Sequence, residues 1–257
     1  MISWVERLMF PPRCVFCGDI LDLREDEAVR QTPEGRRFFT EIPLCGACQD
    51  ALAQETFSGC RYCGTFFDTG YFSENRCRYC DRQELFFDRV IPFGKYVNDL
   101  RDVVLEMKKR GREPLARAMG MLMFRYRGGM LQRLKADVVI PMPMHWFYRR
   151  VRGINSPEIL AETLAEKLGL PVDAAQVGCR RTTLSQRSVP MEKRWANVEG
   201  VFVARSRNTM GKRALIVDDV LTTGATCNAL ARLLKKELGF SFVAVAILAR
   251  AKGKTNA

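Results

Sequence analysis

The sequence predicts an α/β fold, a parallel sheet with helices on its faces, preceded by a small cysteine-rich region. Two observations predict it. Four C-x-x-C pairs fall before residue 81 of a 257-residue chain, and from residue 88 onward aliphatic runs of strand length alternate with stretches of helical periodicity. The expected division is residues 1–87 for the cysteine-rich region and 88–257 for the α/β domain.

Charge follows the same division. Residues 1–90 hold 11 Arg and Lys against 15 Asp and Glu, a net of −4; of the chain's 41 and 29, that leaves 30 against 14 in 91–257, a net of +16. A basic second part favours polyanions such as phosphates or nucleic acid, and scattered solvated arginine is the bland alternative. Hydrophobic residues at 47% and aromatics at 10% suit a packed core and exclude a disordered chain. No apolar run approaches membrane-spanning length, and "MISWVERLMF" carries Glu6 and Arg7 where a signal peptide needs an apolar stretch. The expectation is a cytoplasmic protein with no membrane insertion.

The cysteine pairs are Cys14 and Cys17, Cys45 and Cys48, Cys60 and Cys63, and Cys77 and Cys80. Two thiolates at this spacing share one knuckle turn, and two knuckles complete a tetrahedral site for zinc. A disulfide across so short a spacing is strained, and a cytoplasmic chain is kept reduced. Two four-cysteine zinc sites are therefore expected. Both are coordinatively closed, so their metals are structural. Sequential pairing is simplest, although spacing alone leaves an interleaved arrangement open. Arg61, Tyr62, Phe66, Phe67, Arg78 and Tyr79 lie between the knuckles and suggest base stacking, but so small a region needs those rings as its core.

The second part opens with strand character at 88–96. Val97, Leu100, Val103, Val104 and Met107 then recur at helical spacing, with Gly111 as a stop. A second helical pattern runs through Leu115, Met119, Leu122 and Tyr126. Residues 136–143, "ADVVIPMP", form a buried strand ended by prolines. "SPEILAETLAEKLG" reads as a helix with Ser156 as N-cap, Pro157 in the first turn and Gly169 at the end. A strand near 172–178, a basic loop over 180–199 and a short strand at 200–204 follow. The chain closes with a strand at 213–218, a helix near 224–238 and a strand at 241–249.

The motif that carries chemistry is "ALIVDDVLTTGAT", residues 214–226. Ligands of open parallel sheets bind beyond the carboxyl ends of the strands, where this strand delivers Asp218 and Asp219. The following loop offers backbone N–H groups, a helix N-terminus and the hydroxyls of Thr222, Thr223 and Thr226 to an anion, with Gly224 and Ala225 between them. Two carboxylates accept hydrogen bonds from a vicinal diol. A ligand with a phosphate beside a sugar diol satisfies both halves. A phospho-accepting receiver domain places its acid pair near the start of the domain, and no G-x-x-x-x-G-K-[ST] sequence occurs.

This segment resembles the phosphoribosyl pyrophosphate (PRPP) motif of type I phosphoribosyltransferases, in which the acids hold the ribose hydroxyls and the threonine loop holds the 5′-phosphate. "PMPMHWFYRRVRGINS" is similar to the P-x-P-x-H…R-G-F-N-Q segment of the ComF family through Pro141, Pro143, His145, Arg152, Gly153 and Asn155. "RTTLSQRSVPMEKRWANVEGVF" is similar to its T-x-x-Q…R-x-x-N-V-x-G-x-F segment through Thr183, Gln186, Arg194, Asn197, Val198, Gly200 and Phe202. Ile154 and Ser156 replace the family's Phe and Gln, and "EMKKRG" departs from its K-Y/F-x-G around Lys108.

The resemblance implies a zinc-ribbon region before a type I phosphoribosyltransferase-like domain that binds PRPP with Mg2+ through Asp218, Asp219 and residues 222–226. Arg149, Arg150 and Arg152 follow the strand ending near Pro141 and are candidates to stabilise leaving pyrophosphate, Arg149 and Arg152 first among them. The basic loop with Arg181, Thr183, Gln186 and Arg194 is placed to close over the site. His145, the sole histidine, is either a general base or a structural loop residue. The expected activity is phosphoribosyl transfer to an unnamed acceptor, in DNA uptake or nucleotide-linked metabolism. The alternative is a non-catalytic PRPP sensor that binds single-stranded DNA through Arg149, Arg150, Arg152, Arg180, Arg181, Arg187, Lys193 and Arg194, or an adaptor for a DNA-uptake helicase or channel protein.

Overall fold

The computed structural model describes residues 11–21, 42–53, 59–66, 77, 80, 84–180, 194–205 and 209–251. Phe67, Arg78, Tyr79, Arg181, Thr183, Gln186, Arg187 and Lys193 lie outside the described residues.

Before the sheet stand two knuckles and helix α1 (Gly46–Leu52). Each knuckle is a tight hairpin. In the first, Gly18 N–H donates to the Cys14 carbonyl at 2.9 Å and Arg13 bridges Ile20; in the second, Gly64 N–H donates to the Cys60 carbonyl at 2.9 Å and Gly59 bridges Phe66. Gly64 has φ +69°, and a Cβ there would meet Val90 Cγ1 at 2.8 Å, so only glycine lets this knuckle sit so closely on the first strand.

The domain then runs β1 (Arg89–Lys95), α2 (Asn98–Glu106), α3 (Glu113–Gln132), β2 (Val138–Pro141), α4 (Trp146–Arg152), α5 (Ser156–Leu168), β3 (Val177–Cys179), α6 (Arg194–Asn197), β4 (Phe202–Ala204), β5 (Arg213–Leu221), α7 (Ala225–Lys236) and β6 (Phe242–Arg250). Strands β1, β6, β5 and β2 form one sheet in that order, every neighbouring pair parallel; β3 and β4 make a separate antiparallel ribbon. The expected α/β class is the observed one. Pro92 and Pro141, which lack a ladder N–H, both fall in edge strands.

Central β5 and β6 are aliphatic on both faces because both faces are covered. On one side Leu215, Val217, Ala244 and Ala246 pack with α2, α3 and α5; on the other Ala214, Ile216, Val243 and Val245 pack with α7. The first core also takes in Cys14, Ile42, Leu44 and Leu52, so the first knuckle and α1 bury their apolar residues against the domain.

Two details depart from the sequence reading. Asn155, not Ser156, is the N-cap of α5, and the Ser156 hydroxyl donates to the Met107 carbonyl at 2.8 Å, tying α5 to the turn after α2. Residues 146–152 form a helix that hydrophobic periodicity does not mark, because its Trp146, Phe147 and Val151 face solvent.

Candidate functional site

Side chains alternate along a strand, so adjacent Asp218 and Asp219 leave β5 toward opposite faces. Asp218 turns toward α7. One of its oxygens accepts the Asp219 N–H at 2.8 Å, and the other lies 3.7 Å from the Cys227 thiol. Burial, reinforced by the charge of Asp219, pushes its carboxyl up to about 8. Asp219 turns to the other side, where Lys108 Nζ lies 2.8 Å from its carboxylate.

After Leu221 the chain turns through Thr222 and Thr223 to Gly224, which caps α7 in the left-handed region at φ +81°. A side chain at that φ is strained whatever the space around it, which explains the glycine. The buried Thr223 hydroxyl accepts the Ala225 N–H at 3.4 Å. Asn228 N–H makes the first intrahelical bond, to the Gly224 carbonyl, so the N–H groups of the preceding turn have no helical partner.

The acids and this loop share one cleft of about 450 Å3. Residues Thr222 to Thr226 line it together with Asp218 and Asp219. Met142, His145, Asn155 and Ser156 line it too, delivered by the chain just after β2, the N-cap of α4 and the start of α5. His145 caps α4: its Nδ1 accepts the Phe147 N–H at 3.2 Å, which places the proton of the neutral ring on Nε2. Asn155 is only 8% exposed, and its Oδ1 has no hydrogen-bond partner among the described residues. A buried acceptor left bare in a cleft is available to a ligand's donor.

Lys108, whose role the sequence left open, is the one Lys or Arg among the described residues lining the cleft. Arg149, expected to face pyrophosphate, stands outside that lining and pairs with Glu158 of α5 instead. Arg150 is likewise exposed outside it, and Arg152 lies in the last turn of α4. The sequence placed the arginines near the site because they follow β2, but the intervening α4 turns Arg149 onto α5.

Away from the cleft, the cysteines gather as two groups. Cys14, Cys17, Cys45 and Cys48 form one, and Cys60, Cys63, Cys77 and Cys80 the other, with the ligand atoms of each within 4.8 Å of one another. All eight are free thiols. Cys63 and Cys77 sulfurs approach to 3.4 Å and those of Cys60 and Cys80 to 3.6 Å, separations suited to sulfurs sharing an ion. Four soft ligands with no open position fit structural zinc, and the grouping is the sequential one. Among the described residues no helix is long and apolar enough to cross a membrane.

Comparison with known proteins agrees with this geometry. The family profile described as "Phosphoribosyl transferase domain" matches residues 158–256, which include the acid pair and the loop. The "DNA utilization protein YhgH" of Salmonella typhimurium is 27% identical over 196 residues, 74% of this chain and 83% of that protein. Its Escherichia coli K12 counterpart is 26% identical over 204 residues, with the same coverage. "Competence protein F" of Haemophilus influenzae is 30% identical over 213 residues, 81% of this chain and 90% of that protein. Identity at this level across nearly the whole of competence protein F extends well beyond a shared ligand-binding core, and the chain belongs to the ComF family.

Proposed function

We propose that the cleft binds PRPP with Mg2+ and that the chain transfers the phosphoribosyl group to an acceptor, with residues 88–257 as the phosphoribosyltransferase unit and residues 1–87 as a zinc-ribbon support. One observation carries the reading. The acid pair at the end of β5 and the Thr222–Thr226 loop open onto the same cleft, so one ligand reaches both. The loop takes the 5′-phosphate on its N–H groups and hydroxyls; the carboxylates of Asp218 and Asp219 accept from the ribose hydroxyls.

Carboxylate oxygens beside a phosphate-bearing ligand suit a hard dication held by few protein ligands. When bound, Mg2+ supplies charge neutralisation at the pyrophosphate. Lys108 lies within reach of the same region, and Asn155 Oδ1 accepts from a hydroxyl or N–H of the ligand or acceptor. In the transfer the bond from C1 of ribose to pyrophosphate breaks and a bond from C1 to the acceptor forms, so pyrophosphate appears one for one with product. The relatives' names, which speak of competence and of DNA utilization, support a role in the handling of incoming DNA. That role belongs in the cytoplasm, with a DNA-uptake helicase or channel protein as a partner.

The test is calorimetric titration of the full chain with PRPP and Mg2+. The double variant Asp218→Asn, Asp219→Asn is expected to lose binding while keeping its fold, at a cost of about 1.5–3 kcal/mol per charge-assisted hydrogen bond. Unchanged affinity in the double variant sinks the assignment. Pyrophosphate release across a panel of bases and amines then separates an enzyme from a sensor.

A second reading has its own observation. Trp146 is 65% exposed and Phe147 48% exposed, their rings 6.1 Å apart, and exposed Arg150 and the Glu158-paired Arg149 stand on the same helix. Exposed rings beside cations suit the bases and phosphates of single-stranded DNA.

A further inference from the structure

The last residue of β6 is buried and charged. Arg250 is 4% exposed, and its guanidinium donates to oxygens of three separate segments. Nε donates to the Cys63 carbonyl at 3.0 Å and Nη2 to the Thr65 hydroxyl at 3.1 Å, both in the second knuckle. Nη1 donates to the Leu221 carbonyl at 3.0 Å and to the Thr222 carbonyl, at the start of the threonine loop, and to the Ala251 carbonyl at 2.8 Å. A single planar fork thus spans a metal knuckle on one side and the anion loop on the other.

On the knuckle side, Thr65 is held by the turn itself. Cys60 N–H donates to the Thr65 carbonyl at 2.8 Å, and the Thr65 hydroxyl lies 3.1 Å from the Cys63 sulfur. The segment joining the second cysteine group to the domain is tied to the same place: Asn228 of α7 accepts the Phe86 N–H at 2.6 Å and donates to the Glu84 carbonyl at 2.9 Å. The first cysteine region also touches the domain, through Arg112 to the Val15 carbonyl of its knuckle at 3.3 Å and Arg125 to Gln49 of α1 at 2.7 Å, but neither contact reaches the loop.

We propose that Arg250 is a positioning residue that makes the second four-cysteine knuckle part of the support of the Thr222–Thr226 loop, so that metal ligation at that knuckle sets the loop's order and its affinity for phosphate. The assignment of phosphate to the loop rests on the reading above; the coupling between knuckle and loop stands on the Arg250 contacts alone. Guanidinium is required because five donors in a fixed plane meet acceptors in different directions, which a lysine ammonium at one point does not reproduce. The cysteine groups are thereby unequal: the second acts on the cleft, the first does not.

The experiment is amide hydrogen exchange on the full zinc-loaded chain, followed by PRPP titration of the same samples. Arg250→Lys is expected to raise exchange at residues 222–226 about tenfold or more while β5 and the rest of β6 stay protected, and to weaken PRPP to a similar degree. Removing zinc from the wild-type chain by chelation reproduces the loop's exchange, and restoring zinc reverses it. Arg125→Ala, which removes a contact to the first cysteine region and none to the second knuckle or the loop, leaves the loop as in wild type. Loop exchange unchanged in Arg250→Lys overturns the proposal. So does an unchanged loop on chelation, or an equal rise across β5 and β6, which marks a general stability role. Failure of the wild-type chain to bind PRPP overturns the phosphate reading, and the exchange arms still decide the coupling.

Discussion

Lys108 and Asp219, both lining the cleft, form an ion pair of 2.8 Å that joins the turn after α2 to the end of β5. The pair orients the Asp219 carboxylate beside Asp218, whose carboxyl is pushed up by burial. Lys108 also acts on Asp218 directly, because its charge is among the influences that pull Asp218 downward. Lys108→Met is therefore expected to push Asp218 further up and to weaken PRPP by about tenfold or more, as for loss of one charge-assisted hydrogen bond. Calorimetry and carbonyl-carbon NMR titration of the variant check both halves. An Asp218 titration unmoved by the substitution contradicts the coupling.

Asp218 also gives the cleft a pH dependence of definite sign. Its carboxyl rises from 3.8 in an unperturbed chain to about 8 in the fold, so between those values the folded state holds a proton that the unfolded state has lost. Stability of the empty protein therefore falls as pH rises through that window. A ribose diol needs the carboxylate as acceptor, so PRPP affinity runs the other way, rising toward about pH 8 and levelling above it. Urea midpoints and calorimetry across pH test the two trends. Asp218→Asn should flatten both.

Asn155 separates stability from binding. Its buried Oδ1 has no partner among the described residues, a cost to the empty fold on the order of 1–3 kcal/mol for an unsatisfied acceptor. Asn155→Leu, of similar size, is expected to leave the empty chain at least as stable and to weaken the occupant of the cleft. Thermal melting with and without PRPP distinguishes these outcomes, since a ligand selective for the native state raises the midpoint. A variant that melts lower and binds normally assigns Asn155 to the fold.

These residues show where sequence reading ends. The β5 acids, the threonine loop and the eight cysteines are legible because their chemistry is local: neighbours in sequence share one turn or one strand end. The α/β order is legible because β5 and β6 are covered on both faces and so read as unbroken aliphatic runs. Lys108 is not legible as a site residue, since its partner is distant in the chain and its motif departs from the family's. Arg250 is hidden for a different reason. Its partners are mostly backbone carbonyls, which no side-chain pattern encodes. Helix α4 escapes because its apolar residues face solvent, and the Asn155 cap because Ser156 offered the stronger signal.

The cysteine groups predict two zinc ions per chain by metal analysis, and one in Cys17→Ser. Chelation is expected to open the cysteine-rich region first, with β5 and β6 amides still protected, because metal binding is folding free energy for so small a region. The thermal midpoint should also fall, since Ile42, Leu44 and Leu52 belong to the domain's own core. Finding disulfides in freshly purified protein contradicts the assignment.

Single-stranded DNA, if it is the second partner, belongs on α4 and not on the knuckles, although cysteine knuckles commonly touch nucleic acid. The charge arithmetic favours the domain, at −4 before residue 91 and +16 after it. The structure adds a surface: Trp146 and Phe147 exposed on one short helix with Arg149 and Arg150, beside the cleft. Stacking and phosphate neutralisation make separable predictions. Trp146→Ala with Phe147→Ala is expected to cost about 1–3 kcal/mol per stacked base and to leave the salt dependence alone. Arg149→Glu with Arg150→Glu is expected to flatten the dependence of affinity on salt by about 0.7 for each phosphate no longer neutralised. Arg149 already pairs with Glu158, so Arg150 should carry the larger share. Arg61→Glu, an exposed arginine of the second knuckle, is the control and should change neither quantity. Fluorescence anisotropy with a labelled oligonucleotide over a salt series measures all three in the full chain. A loss of binding in Arg61→Glu with the α4 variants unaffected moves the DNA to the knuckles, and no binding by the wild-type chain removes it altogether.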